Sequence, residues 1–226
     1  MKFQTLLLDL DDTILDFGAA ERAAIARTFR EIGLEPTEAL LQRYSEINQS
    51  QWEAMERGEI DRATVLIRRF DLFFEELGME ADSHAVENRY RSYLGIGHYF
   101  IEGAEELLEY LSGKYDLYLA SNGVADTQYS RLASAGISHY FKEIFISETT
   151  GYHKPEKAYF DYCYARIENF DPEKTLMIGD SLTGDIRGGI NAGIKTCWVN
   201  LKGKARRPDI VPNYEIHSLK ELMELL

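Results

Sequence analysis

Five short apolar runs constrain this chain more than any other feature. They are FQTLLLD (3–9), YDLYLAS (115–121), EIFIS (143–147), TLMIGD (175–180) and KTCWVN (195–200). Each is apolar at successive positions rather than alternate ones, as in strands buried on both faces of a parallel sheet. Parallel strands need crossover connections, and helical patterns at 103–111, 126–135, 156–167 and 183–192 lie between the later runs. This alternation predicts βαβ units and an α/β fold with a doubly wound, mostly parallel sheet.

The first connection is different. Residues 18–95 hold no strand pattern but four helical stretches, at 19–34, 37–58, 62–79 and 82–95. Gly33, Gly58, Gly78 and Gly95 punctuate them as C-terminal stops. An all-helical cap domain inserted directly after the first strand is therefore expected, with 1–16 and 96–226 as the α/β core and 17–95 as the insert. Ligands of such sheets sit outside the carboxyl ends of the strands. An insert leaving from the end of the first strand would lie over that crevice as a lid.

The chain has 226 residues, a net charge of −13 and a pI near 4.9. That balance argues against a nucleic-acid partner, which would call for a basic face, and against an anionic membrane surface. Cys163 and Cys197 stand far apart without a CxxC pattern, so no disulfide framework is expected. The apolar run near the N-terminus is broken by Asp9, too early for a signal-peptide core, and no stretch approaches a membrane span. A cytoplasmic protein, monomer or homodimer, is expected.

Polar signals recur where the apolar runs end. Asp9, Asp11 and Asp12 follow the first run, and Ser121, Asn122 and Gly123 follow the second. Lys154 sits in HKP, and Asp180 and Asp185 in GDSLTGD. Alone, each is an ordinary turn or helix cap. Together they converge on one crevice. Clustered carboxylates need a cation, and hard oxygen ligands suit Mg²⁺, which would draw in a phosphate. One carboxylate could then attack phosphorus, while a second, two residues on and on the same side of an extended chain, could move a proton. A hydroxyl and an ammonium would hold the equatorial oxygens.

DLDDT, SNG, HKP and GDSLTGD resemble, in order, the four motifs of the haloacid dehalogenase-like (HAD) hydrolase superfamily. The helical insert after the first motif resembles its type-one cap. INQSQWEAMERGEID and GGINAGIKTCWVN are similar to the branch of pyrimidine 5′-nucleotidases that acts on nucleoside monophosphates. The resemblance implies a Rossmann-like core and a Mg²⁺-dependent phosphatase working through an aspartyl-phosphate. It implies Asp9 as nucleophile and metal ligand, and Asp11 as general acid/base with its carbonyl on the metal. Thr13 would shape the loop after the nucleophile. Ser121 and the Asn122 amide would hold the phosphoryl group, Lys154 would balance charge, Asp180 would bind Mg²⁺ and Asp185 would orient the site from behind. Asp12 reads mainly as structural.

The substrate class this implies is a small phosphate ester, first of all a nucleoside monophosphate. A phosphatase or mutase of another small phosphorylated metabolite, such as a sugar phosphate, is the alternative. Asp11 counts against a 2-haloacid dehalogenase, whose relatives lack that acid/base aspartate, and the helical insert has no role in a phospho-acceptor signalling module. Phe17, Asn48, Gln51 and Trp52 are candidates to meet a base and ribose. Trp52 shares helical spacing with Ile47 and Met55, so a core position is the weightier reading for it. His153 reads as a loop residue rather than a ligand, and the basic run Lys202–Arg207 as a solvated loop.

Overall fold

The computed structural model describes residues 2–226. The five apolar runs form strands β1 (Thr5–Leu8), β2 (Asp116–Ser121), β3 (Glu143–Ile146), β4 (Thr175–Gly179) and β5 (Lys195–Val199). A sixth, β6 (Tyr214–Ile216), adds to one edge. The order is β3-β2-β1-β4-β5-β6 and every pairing is parallel. The sequence reading omits β6 because only Ile216 of its three residues is buried, so no apolar run marks it.

Among the described residues ten α-helices accompany the strands. They are α1 (Phe17–Glu31), α2 (Glu38–Glu56), α3 (Arg62–Glu76), α4 (Ser83–Leu94) and α5 (Ala104–Leu111). Then come α6 (Ala125–Ala135), α7 (Ser147–Thr150), α8 (Lys157–Tyr164), α9 (Arg187–Asn191) and α10 (Leu219–Leu225). The predicted helix at 183–192 differs: it opens with a wide π-type turn over Leu182–Ile186 before α9 begins. Such turns recur near functional sites.

Successive strand residues face opposite sides of the sheet. Leu6 and Leu8 pack with Leu117, Leu119, Leu176 and Ile178 against α5 and α10. Leu7, Tyr118, Ala120 and Met177 pack on the other face with Tyr159, Phe160 and Cys163 of α8. Both faces are covered, which is why the runs are continuously apolar.

Helices α1–α4 enclose a separate core of Ile25, Phe29, Leu41, Tyr44, Phe70, Phe73, Phe74 and Tyr90. The rings of Phe29 and Phe73 stack at 5.0 Å. Asp16, Thr37, Asp61 and Asp82 cap the four helix N-termini through side-chain oxygens. Gly33, Gly58 and Gly78 end their helices with left-handed φ. Gly95 does not, with φ of −61°. Its glycine suits a close approach instead, since a Cβ there would lie 3.3 Å from the Arg91 carbonyl and the Ser130 hydroxyl. The chain leaves for this insert and returns by paired connectors: the Asp16 amide donates to the Tyr99 carbonyl at 2.7 Å, and the Ile101 amide to that of Ile14 at 3.0 Å. Among the described residues no helix is long and apolar enough to cross a membrane.

Candidate active site

Strand β1 lies between β2 and β4, so the chain winds outward in both directions from it and leaves a crevice at the strand ends. Asp9 follows β1, its amide held by the Ile178 carbonyl at 2.9 Å. Lys154 arrives from the turn after α7 and is only 2 % exposed. Its ammonium donates to Asp9 Oδ1 and Asp185 Oδ1, both at 2.7 Å, and to the Ala120 carbonyl at 2.6 Å. Asn122 fixes the Lys154 backbone reciprocally: its Nδ2 donates to the Lys154 carbonyl at 2.8 Å and its Oδ1 accepts from the Lys154 amide at 2.9 Å. The Asn122 side chain is thus spent on holding this loop.

Asp185 uses its other oxygen to accept from the Ser181 amide at 3.0 Å. This tight turn needs Gly179, where a Cβ would sit 2.1 Å from Asp185 Oδ2. Asp180 stands at the crevice beside it. Its backbone is placed by the Trp198 indole, which donates to the Asp180 carbonyl at 2.9 Å.

The charges here do not balance. Burial pushes the Asp9 carboxyl well above the usual carboxylate range, and the neighbouring carboxylates of Asp185, Asp11 and Asp180 add to this against the pull of Lys154. Burial pushes Asp180 up to about 6 despite the Lys204 ammonium. Burial works against the charge on Lys154, but Asp185 and Asp9 raise it above the ordinary lysine range. Two buried carboxylates therefore share one permanent cation.

Carboxylate oxygens of Asp9, Asp180 and Asp185 lie within 4.8 Å of one another. Both oxygens of Asp185 are already engaged, by Lys154 and the Ser181 amide, while Asp9 and Asp180 keep acceptor capacity toward the crevice. Hard oxygen donors with raised proton affinity and a shortage of positive charge fit a divalent cation such as Mg²⁺. Of the three, Asp9 and Asp180 have the free acceptor capacity that could hold one.

Asp11 and Ser121 meet through α6. Gln128 Nε2 donates to Asp11 Oδ2 at 2.7 Å and to Ser121 Oγ at 2.8 Å. Gly123 makes room for this, since a Cβ there would lie 2.6 Å from the Gln128 amide. Arg131 Nη1 holds the other oxygen of Asp11 in an ion pair. Asp12 has a left-handed φ of 55° and accepts from the Phe17 amide at 3.1 Å, tying the loop to the start of α1. Thr13 is fully buried behind the loop.

A cavity of about 490 Å³ opens over these groups. Phe17, Asn48 and Trp52 line it, together with Asp9, Asp11, Ser121, Asn122, Lys154, Asp180 and Asp185. Two expectations fail. Gln51 is buried beside Ser50 and is not part of the lining. Trp52 is half-buried on the cavity wall and joins none of the buried apolar clusters, because α2 turns Ile47 and Met55 inward and Trp52 toward the crevice. The basic loop is corrected as well. Lys204 Nζ pairs with Asp180 at 2.8 Å and Lys202 Nζ with Asp12 at 2.6 Å, so opposite charge draws these lysines onto the cavity rim. His153 pairs with Glu156 and takes no part in the cavity lining.

Several cavity residues escape the sequence reading. Glu56, at the end of α2, accepts from Ser181 Oγ at 3.1 Å and from the Thr183 hydroxyl, bridging the helical insert to the β4 turn. Glu21 accepts from Ser45 and Asn48 at 2.6 Å, and Asn48 accepts in turn from Arg69 at 2.7 Å. Gln128 of α6 is another, and Arg131, wholly buried behind it, holds Asp11 without lining the cavity. Their one local signal is a polar pair three residues apart beside Leu132, on a face that ought to be apolar.

A sequence model of the haloacid dehalogenase-like hydrolases matches residues 3–193. The chain is 46% identical over its whole length to the HAD-hydrolase YfnB of Bacillus subtilis, of which it covers 96%. It is 38% identical to the pyrimidine 5′-nucleotidase PynA of Streptococcus pneumoniae, spanning all of this chain and 96% of that one. It is 30% identical to the pyrimidine 5′-nucleotidase YjjG of Escherichia coli, spanning 100% and 99%. The crystal structure of YfnB, described as bound to magnesium and as revealing interdomain movement, superimposes with a TM-score of 0.96 over 100% of this chain and 99% of that one. With its fold, its ordered strand-end motifs and these full-length similarities, the chain belongs to the haloacid dehalogenase-like hydrolases.

Proposed function

We propose that this protein is a Mg²⁺-dependent phosphatase of small phosphate monoesters, and first of all a 5′-nucleotidase acting on pyrimidine nucleoside monophosphates. The observation that carries the reading is the buried Asp9–Lys154–Asp185 group, one cation short, beside Asp11 and Ser121. Such a site attracts a metal and then a phosphate dianion. Similarity to PynA and YjjG over the full chain supports the nucleotide.

In this reading Asp9 Oδ attacks phosphorus as the bond to the ester oxygen breaks, and Asp11 gives its proton to that oxygen. The aspartyl-phosphate on Asp9 is then opened by water, whose proton returns to Asp11. Asp9, Asp180 and the Asp11 carbonyl would hold Mg²⁺, which would supply charge neutralisation between the carboxylates and the phosphoryl group. Ser121 Oγ and the Asn122 amide hold the phosphoryl oxygens, and Lys154 balances the charge that develops on them. Asp185 orients Lys154, and Thr13 packs the loop. Residues 17–95 act as a cap, with Phe17, Asn48 and Trp52 facing the nucleoside.

Phosphate release from a panel of nucleoside monophosphates, sugar phosphates and para-nitrophenyl phosphate, with Mg²⁺ and with EDTA, tests the reading. Turnover confined to Mg²⁺ and highest on pyrimidine nucleotides is expected. Equal turnover in EDTA would overturn the metal, and a preference for sugar phosphates would overturn the nucleotide. Trp52→Ala should raise KM for the nucleotide more than for para-nitrophenyl phosphate. Equal effects on both would reduce Trp52 to a support of the insert.

A further inference from the structure

The α6 residue Arg131 is wholly buried, a costly place for a guanidinium unless it is paired. Its contacts run in two directions. Nη1 pairs with Asp11 Oδ1 and donates to Gln128 Oε1 at 3.2 Å. Nε donates to the Gly97 carbonyl at 3.1 Å, in the connector by which the chain returns from the helical insert. The Phe17 ring, where the chain enters α1, lies 5.8 Å from the guanidinium carbon. Nη2 is buried with no hydrogen-bond partner among the described residues. Arg131 therefore touches both connectors of the insert and the carboxylate of Asp11 with one rigid plane.

Gln128 completes the grip. Between them, Arg131 and Gln128 take one lone pair on each oxygen of Asp11 and leave the other on each. The plane of the carboxylate is thereby set, with capacity left to carry a proton. A loop carboxylate without such a grip would rotate freely about χ1 and χ2, and proton transfer tolerates little misplacement.

We propose that Arg131 is a positioning residue that aims the Asp11 carboxyl at the leaving oxygen of the substrate and ties that aim to the seating of the helical insert through the Gly97 carbonyl. The inference rests on the reading of Asp11 as general acid/base. Loss of Arg131 would then act on proton donation to the leaving group, more than on binding or on attack by Asp9.

The leaving group separates these possibilities. An alkoxide leaves a nucleoside monophosphate only when protonated, whereas para-nitrophenolate is stable as an anion and leaves with little help. kcat/KM covers only the steps up to that departure, so slow opening of the aspartyl-phosphate does not mask the effect. Arg131→Met should lower kcat/KM by about tenfold or more on a nucleoside monophosphate and by clearly less on para-nitrophenyl phosphate. Arg131→Lys keeps the charge but cannot reach Asp11, Gln128 and Gly97 together, and should show the same selectivity at smaller size. In an Asp11→Asn background Arg131→Met should add nothing further, because the group it aims is gone.

Equal losses on the two esters, or a full additional loss in the Asp11→Asn background, would overturn the proposal. Should Arg131→Met fail to fold, Arg131→Lys carries both comparisons. If Asp11→Asn itself keeps wild-type activity on the nucleotide, it is the assignment of Asp11 that fails, and the single-variant data tell the two failures apart.

Discussion

Two buried ionic networks face the same cavity, and they are built on opposite plans. In the helical insert, Arg69 Nη2 pairs with Glu87 at 2.5 Å and Nη1 donates to Asn48, which donates to Glu21 at 2.6 Å. Arg91 reaches the other oxygen of Glu87 at 3.4 Å. Glu87 thus meets two guanidiniums, the buried Arg69 and the partly exposed Arg91, and Glu21 joins through Asn48. At the strand ends, Asp9 and Asp185 share the single ammonium of Lys154, with Asp180, paired to Lys204, beside them. The first network matches carboxylates with guanidiniums inside the helical insert, although Arg69 Nε has no hydrogen-bond partner among the described residues. In the second, Asp9 and Asp185 have one cation between them, which is unfavourable for stability and suits the metal and phosphate proposed for this site.

The contrast is broken most severely at Asp9. Asp9→Asn should lower kcat by at least about 10³-fold, since the proposed nucleophile is lost. In metal-free protein it should leave the melting temperature unchanged or raised, because a buried carboxylate lacking a full partner becomes neutral. Calorimetry alongside steady-state assays checks both halves. A clear fall in melting temperature would show that the strand-end network also serves the fold.

Arg69→Met is the converse experiment. It leaves Glu87 and Asn48 facing an apolar side chain and should cost about 3–5 kcal/mol, or roughly 10 °C in melting temperature. Turnover of a small ester at a temperature where the variant is folded should suffer far less than with Asp9→Asn. Chemical denaturation measures the first effect, and an intact midpoint would show that the insert's network is dispensable.

The smallest effect lies where the two networks approach, at Glu56. Burial pushes its carboxyl from an ordinary 4.5 up to about 7, with Asp185 adding to this against hydrogen bonds from Thr183 and Ser181. The folded state thus holds a proton that the unfolded chain has released. The stability this contributes is full below about pH 4.5 and is lost as pH rises through 7. Metal-free protein should therefore melt lower at pH 7.5 than at pH 5.5, and Glu56→Gln should flatten that slope. An unchanged slope in the variant would assign the pH dependence to other groups, such as Asp180.

How much of this was legible beforehand depends on the range of the interaction. Asp9, Asp11, Ser121, Lys154, Asp180 and Asp185 each stand at the end of an apolar run or in a short motif, and the parallel sheet brings such ends to one edge. The helical insert was legible because caps and glycine stops are local chemistry. Trp52 was not, because spacing along a helix tells which residues share a face, not which face meets the core. The loop at 202–207 looked like solvated charge, and only the folded chain reveals the carboxylates it meets.

The sequence by itself determined five of the strands, most of the helices and the chemistry available at the strand ends, since these follow from backbone preference and apolar patterning within a few residues. The tertiary structure alone decided the partners: Arg131 with Asp11, 120 positions apart, and Glu56 with Thr183, 127 apart. A side chain's partner across the fold depends on how layers pack and how buried charge is compensated. Neither of these leaves a periodic trace along the chain.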